Sequence, residues 1–146
     1  GRELGQTVFD DGWTPVYDME NHRYDFLAVK AGTILIDSSL CEESVTTGRL
    51  RFTCAHELAH WLLHKQQFKG TGENAALLSA NVSDSTLEVQ ANKLGAMLLL
   101  PLPQVKRSFY KYSMWVSGDK LVAEMAALFQ VSRQAMRICL DQHNLL

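Results

Sequence analysis

His56-Glu57-Leu58-Ala59-His60 sits in the apolar stretch Arg51-Phe52-Thr53-Cys54-Ala55-His56-Glu57-Leu58-Ala59-His60-Trp61-Leu62-Leu63-His64, and its spacing decides what the chain is built around. Two histidines four residues apart fall on one face of an α-helix, where both imidazoles can reach a single metal ion. Glu57 is turned about 100° from His56, too far round to join easily as a ligand but well placed to touch a water on that metal. This H-E-x-x-H arrangement is that of zinc metallopeptidases, with two ligands and a general base on one helical turn. Phe52, Ala55, Leu58, Ala59, Leu62 and Leu63 make the segment apolar and predict its burial. Buried histidines and a buried glutamate are costly unless paired or bound to metal, which argues against a chance match.

Outward from the motif, its helix is predicted to start at Thr46 or Thr47, either of which can cap it, and to run to about Lys65. Gln66 to Asp84 is a polar, glycine-containing segment, longer than most loops in compact domains, with a candidate helical turn over Asn74 to Ser79. A second helix is expected from near Ser85 to Leu100, ended by Pro101-Leu102-Pro103. Three more follow. One covers roughly Leu102–Tyr112, with Val105 and Phe109 on its apolar face. Another begins after Gly118 with Asp119 as N-cap and carries Val122, Met125, Ala126 and Phe129. The last starts at Ser132 and includes Ala135, Met136, Ile138 and Cys139.

Ahead of the motif the chain reads as strands. Tyr24 to Lys30 and Thr33 to Asp37 flank Ala31-Gly32 in the manner of a β-hairpin. An earlier strand or pair is expected around Gln6–Phe9 and Thr14–Met19, with Asp10-Asp11-Gly12 as a turn. The fold class is therefore α+β: a small N-terminal antiparallel or mixed β-sheet packed on a helical C-terminal part that holds the motif helix, in a single domain over residues 1–146.

Composition fits this. A chain of 146 residues can bury a real core, and 47% hydrophobic with 21% charged residues is ordinary globular content. Its 14 basic and 16 acidic residues leave a net charge of −2, no field that would draw nucleic acid or an anionic membrane. The longest apolar run, Ala96 to Leu100, stops at Pro101 and is too short to span a bilayer. Gly1-Arg2-Glu3-Leu4 lacks the apolar core of a secretory signal, so a cytoplasmic location is expected. Cys41, Cys54 and Cys139, scattered and odd in number, suit reduced thiols. Cys54 lies nearly opposite the histidine face and reads as a small core residue.

Catalytic zinc usually takes three protein ligands and keeps one position open. Glu88, in the first turn of the second helix, is the chosen third donor. It shares a stripe with Asn92, Gly95 and Leu99, where Gly95 would let the two helices approach and Asn92 could hydrogen-bond behind a ligand. Ser85-x-x-Glu88 reads equally well as a capping box, and spacing alone does not separate the two. His64 is the next rival. Ligands at i, i+4 and i+8 converge poorly, so His64 fits better behind the ligands or as a cation at the helix C-terminus. His22 and His143 have no supporting context.

The stretch Arg51 to His64 resembles the active-site helix of the ImmA/IrrE family of bacterial and phage metallopeptidases. Glu88-Val89-Gln90-Ala91-Asn92-Lys93-Leu94-Gly95-Ala96-Met97-Leu98-Leu99-Leu100-Pro101 is similar to that family's second block, and Leu128-Phe129-Gln130-Val131-Ser132-Arg133-Gln134-Ala135-Met136-Arg137 to its third. The resemblance implies that His56, His60 and Glu88 bind Zn2+ and that Glu57 is the catalytic base, which favours the ligand reading of Glu88. It also implies a protein substrate, a helix-turn-helix repressor whose cleavage relieves repression during stress or mobile-element induction. Gly95-Ala96 and Ala59 depart from residues common in the family, but neither touches a proposed ligand.

His64, Tyr110, Tyr112 and His143 are candidates for stabilising the oxyanion, and an extended substrate is expected beside Thr33 to Asp37 if that strand is the edge near the site. One rival function is a catalytically silent peptidase-like module that regulates a repressor by binding it. Another is DNA binding by the helix–turn–helix rhythm of Leu128 to Leu140. With Arg133 and Arg137 its only cations, that segment has too little positive charge for phosphate contacts, and no direct nucleic-acid partner is expected.

Overall fold

The computed structural model describes residues 4–42, 46–68 and 84–146. In chain order these form β1 (Gly5–Thr7), β2 (Gly12–Asp18), β3 (Arg23–Val29), β4 (Ile34–Ile36), a 3-10 turn (Ser38–Cys41), α1 (Thr47–Phe68), α2 (Asp84–Leu99), α3 (Leu102–Tyr112), α4 (Gly118–Phe129) and α5 (Arg133–Gln142). The arrangement is α+β, as the hydrophobic pattern predicts. The candidate helical turn over 74–79 lies outside the described residues.

Strand positions follow the sequence alternation, but their partners do not. β3 pairs antiparallel with β2, from Gly12 opposite Val29 to Asp18 opposite Arg23. β4 pairs with β1 instead, Gly5 facing Ile36 and Thr7 facing Ile34. The expected hairpin across Ala31-Gly32 is thus incorrect. Gly32 has φ +89 and gives its N–H to Val8 O at 2.8 Å, while Val8 N–H bonds Thr33 O at 2.9 Å. The left-handed glycine turns the chain out of β3 and lays it along β1. Alternation tells which residues share a face and is silent on which strand lies alongside.

The segment just after β1 is clamped onto α1 by stacking of Phe9 on Trp61, ring centroids 5.9 Å apart, a pair worth about 0.5–1.5 kcal/mol beyond its buried area. α1 and α2 meet through small residues: Ala59 and Ala91 are fully buried and Ala55 nearly so. At Gly95 a Cβ would lie 3.1 Å from the His56 backbone nitrogen and 3.3 Å from its Cα. Glycine therefore sets how closely the helix bearing Glu88 can approach the helix bearing the histidines. Gly95→Val should cost about 1–3 kcal/mol through overpacking against backbone that cannot yield. A denaturation midpoint equal to that of the parent protein would refute this close approach.

A second apolar cluster joins the end of α2 to α3, α4 and α5, with Val105, Met125, Met136 and Leu140 fully buried. Ser132 caps α5, accepting from Ala135 N–H at 3.0 Å, and Gln130 in the left-handed region ends α4. The N-cap of α4 is Ser117 rather than Asp119; Asp119 sits in the first turn, a favourable place for negative charge, and pairs with Arg137. Some apolar residues expected inside are exposed among the described residues: Leu58, Leu62 and Leu63 on α1, and Ile138 on α5. α1 buries its alanines against α2, which leaves these leucines on other faces. Cys54 is half-buried and Cys139 buried. No described helix is long and apolar enough to cross a membrane.

Candidate metal centre

The helical spacing of four brings the two imidazoles together, with His56 Nε2 and His60 Nε2 3.0 Å apart. Glu88 reaches across from α2, one carboxylate oxygen 3.2 Å from His56 Nε2 and the other 3.1 Å from His60 Nε2. Ser85 lies inside α2 rather than ahead of it, so Glu88 faces the histidines instead of closing a capping box. Two nitrogens about 2.0–2.1 Å from a tetrahedral zinc would lie about 3.3 Å apart. The spacing of the two nitrogens approaches that of two tetrahedral corners, and with a Glu88 oxygen against each imidazole these three side chains could hold a metal ion.

Each imidazole has a partner at its other nitrogen. His56 Nδ1 lies 3.0 Å from Asn92 Oδ1. His60 Nδ1 lies 2.9 Å from His64 Nδ1, and His64 Nε2 lies 3.0 Å from Gln90 Oε1. His64 is only 1% exposed; the structure places it behind His60 and not in the cluster. Gln90 was not foreseen from sequence, because it sits about 200° round α2 from Glu88.

Glu57 is buried and held by β1. Thr7 Oγ1 lies 2.7 Å from Glu57 Oε2 and 2.8 Å from the Glu57 carbonyl oxygen, so its single hydroxyl proton serves one or both. The strand can come this close because residue 5 is glycine: a Cβ there would fall 2.8 Å from Glu57 Cγ and from Thr53 Cγ2. A cleft of about 590 Å³ opens over the cluster, lined by residues of β1 together with Phe52, His56, Glu57, His60, Glu88 and Asn92.

No residue of β4 lines this cleft, nor does His64, Tyr110, Tyr112 or His143. The strand beside the site is therefore β1, and the expectation for Thr33 to Asp37 is corrected: β4 is the outer member of its pair, separated from the cleft by β1. His22 is an exposed neighbour of Tyr17 in the hairpin, its Nδ1 3.4 Å from the phenol oxygen.

Burial, followed by the neighbouring His56, holds His60 below its ordinary value of 6.5, against the pull of Glu88 and Glu57. The neutral imidazole, the form able to bind metal, is thereby favoured. Above pH 6.5 the folded and unfolded chains both carry neutral His60, and its contribution to stability is fully present. As pH falls, the unfolded chain protonates first, and that contribution is lost through the lowered folded-state value. Metal-stripped protein should therefore show a lower urea midpoint at pH 5.5 than at pH 7.5, and a flat profile across that range would contradict it.

Residues 14–141 match the profile of the peptidase M78 family, described as the IrrE N-terminal-like domain. The chain belongs to this family. Among curated proteins it matches none. Membership makes this IrrE-like chain a metallopeptidase-type module, in keeping with a cluster able to hold a metal. β1, with Gly5 and Thr7 against Glu57, precedes the matched residues.

Proposed function

We propose that the protein is a zinc-dependent endopeptidase in which His56, His60 and Glu88 bind the metal and Glu57 is the catalytic base. The observation that carries this reading is the convergence of two imidazole nitrogens and a carboxylate within 3.0–3.2 Å, beside a buried second carboxylate in the same cleft. With both Nδ1 atoms occupied elsewhere, the inward-facing Nε2 atoms and carboxylate oxygens are electron-rich, and a cation between them relieves their repulsion.

Zinc would supply Lewis acidity here, acidifying a water and polarising the scissile carbonyl. Glu57 takes the proton of the attacking water and passes it to the leaving amine. Thr7 steadies Oε2 of that carboxylate, which leaves Oε1 free of the bond for proton transfer. Flanking β1, Leu4 and Val8 bond with Asp37, Thr33 and Gly32 at the two ends of β4; by strand alternation Gly5 and Thr7 direct their backbone groups the other way. An extended substrate segment laid along that edge would put its scissile bond over the cluster.

The substrate is a helix-turn-helix repressor, supported by membership of the IrrE-like family and by the resemblance of the two motif blocks. Purified protein should carry about one zinc per chain. Exhaustive chelation should stop cleavage of the cognate repressor, and added zinc should restore it. Cleavage that survives chelation would end the metallopeptidase reading.

A further inference from the structure

The geometry points to Gln90 and His64 as a positioning pair that fixes the proton on His60 so that its Nε2 faces the metal unprotonated. The inference rests on the metal reading above and adds to it the residues that make His60 a competent ligand. A neutral imidazole carries one hydrogen, and only the bare nitrogen can bind a cation. Gln90 Oε1, 3.0 Å from His64 Nε2, is an acceptor only. The hydrogen of His64 must then lie on Nε2, which leaves its Nδ1 bare. That Nδ1 is 2.9 Å from His60 Nδ1, and the contact is a hydrogen bond only if His60 donates. His60 Nε2 is thereby left without a hydrogen, aimed at His56 Nε2 and Glu88.

Each link is forced by the one before it. Were Gln90 to turn its amide NH2 toward His64, both imidazoles would switch tautomer and His60 would push a hydrogen into the cluster. His64 is buried to 1% exposure, with its two ring nitrogens taken by Gln90 and His60. His56 needs no intermediary, because Asn92 Oδ1 meets its Nδ1 directly at 3.0 Å. α2 thus provides one donor to the cluster and the acceptors that orient both imidazoles, in accord with the general role of such outer hydrogen bonds in raising ligand basicity.

Gln90 is exposed, so replacing it leaves the core intact and avoids the folding risk of His64→Leu. Zinc affinity is measured at pH 8 by chelator competition for the parent protein, Gln90→Met and Gln90→Glu, alongside 15N chemical shifts of the histidine rings. Gln90→Met should bind zinc about 10–100-fold more weakly, with the His64 ring no longer confined to the Nε2–H tautomer. Its metal-free urea midpoint should be unchanged. Gln90→Glu, which keeps an acceptor, should recover most of the affinity. If the parent protein binds zinc and Gln90→Met binds it equally well, or if His64 carries its hydrogen on Nδ1, this inference is overturned and the metal centre stands. A parent protein that binds no zinc overturns both.

Discussion

Glu57→Gln should keep its zinc and lose at least about 10²-fold in kcat/KM for repressor cleavage, the lower end of what a positioned general base contributes. The amide matches the carboxylate in size, and its oxygen can still accept from Thr7 Oγ1, which lies 2.7 Å from Glu57 Oε2. Packing against Gly5 and Thr53 is unchanged. What disappears is the ability to take a proton. Because Glu57 is not one of the three converging groups, metal content should match the parent protein. Loss of zinc in this variant would mean that Glu57 helps hold the metal, and undiminished cleavage would remove it from the chemistry. If parent and variant both bind the repressor and leave it intact, the chain regulates by binding alone.

Glu88→Ala should lower zinc affinity by more than the 10–100-fold typical of losing a partner behind a ligand, because it deletes a proposed ligand. Its side chain is 55% exposed, so truncation leaves no cavity and the metal-free fold should melt as the parent does. The two outcomes together are diagnostic. A capping-box glutamate would lower helix stability by about 0.5–2 kcal/mol and leave zinc binding alone, and that result would defeat the three-ligand centre. Cleavage should fall with occupancy and recover partly in excess zinc.

The helix bearing the histidines, the second helix and the last three were all legible in the sequence, because a period near 3.6 and the capping and breaking residues are local signals. α3 falls on Leu102–Tyr112 and α1 starts at Thr47, as read. That His56 and His60 share a face follows from their spacing alone. Strand partners were not legible: β3 left its sequence neighbour β4 for β2, since pairing depends on contacts distant in sequence. The outward-facing leucines of α1 were also misjudged, because apolar composition does not reveal which face packs, and the buried apolar residues there are Ala55 and Ala59.

By itself, then, the chain's order of residues determined an amphipathic scaffold, two imidazoles on one helical turn and a carboxylate following them. Only folding in three dimensions decided that Glu88 turns to the histidines rather than to its own helix end, that β1 and not β4 borders the cleft, and that His64 stands behind His60 with Gln90 beyond it. The reason is one of range. Helical periodicity is fixed by backbone geometry within a few residues, whereas these placements depend on how closely α1, α2 and β1 can approach. Gly95 and Gly5 permit that approach, and its effect appears only when the segments are packed together.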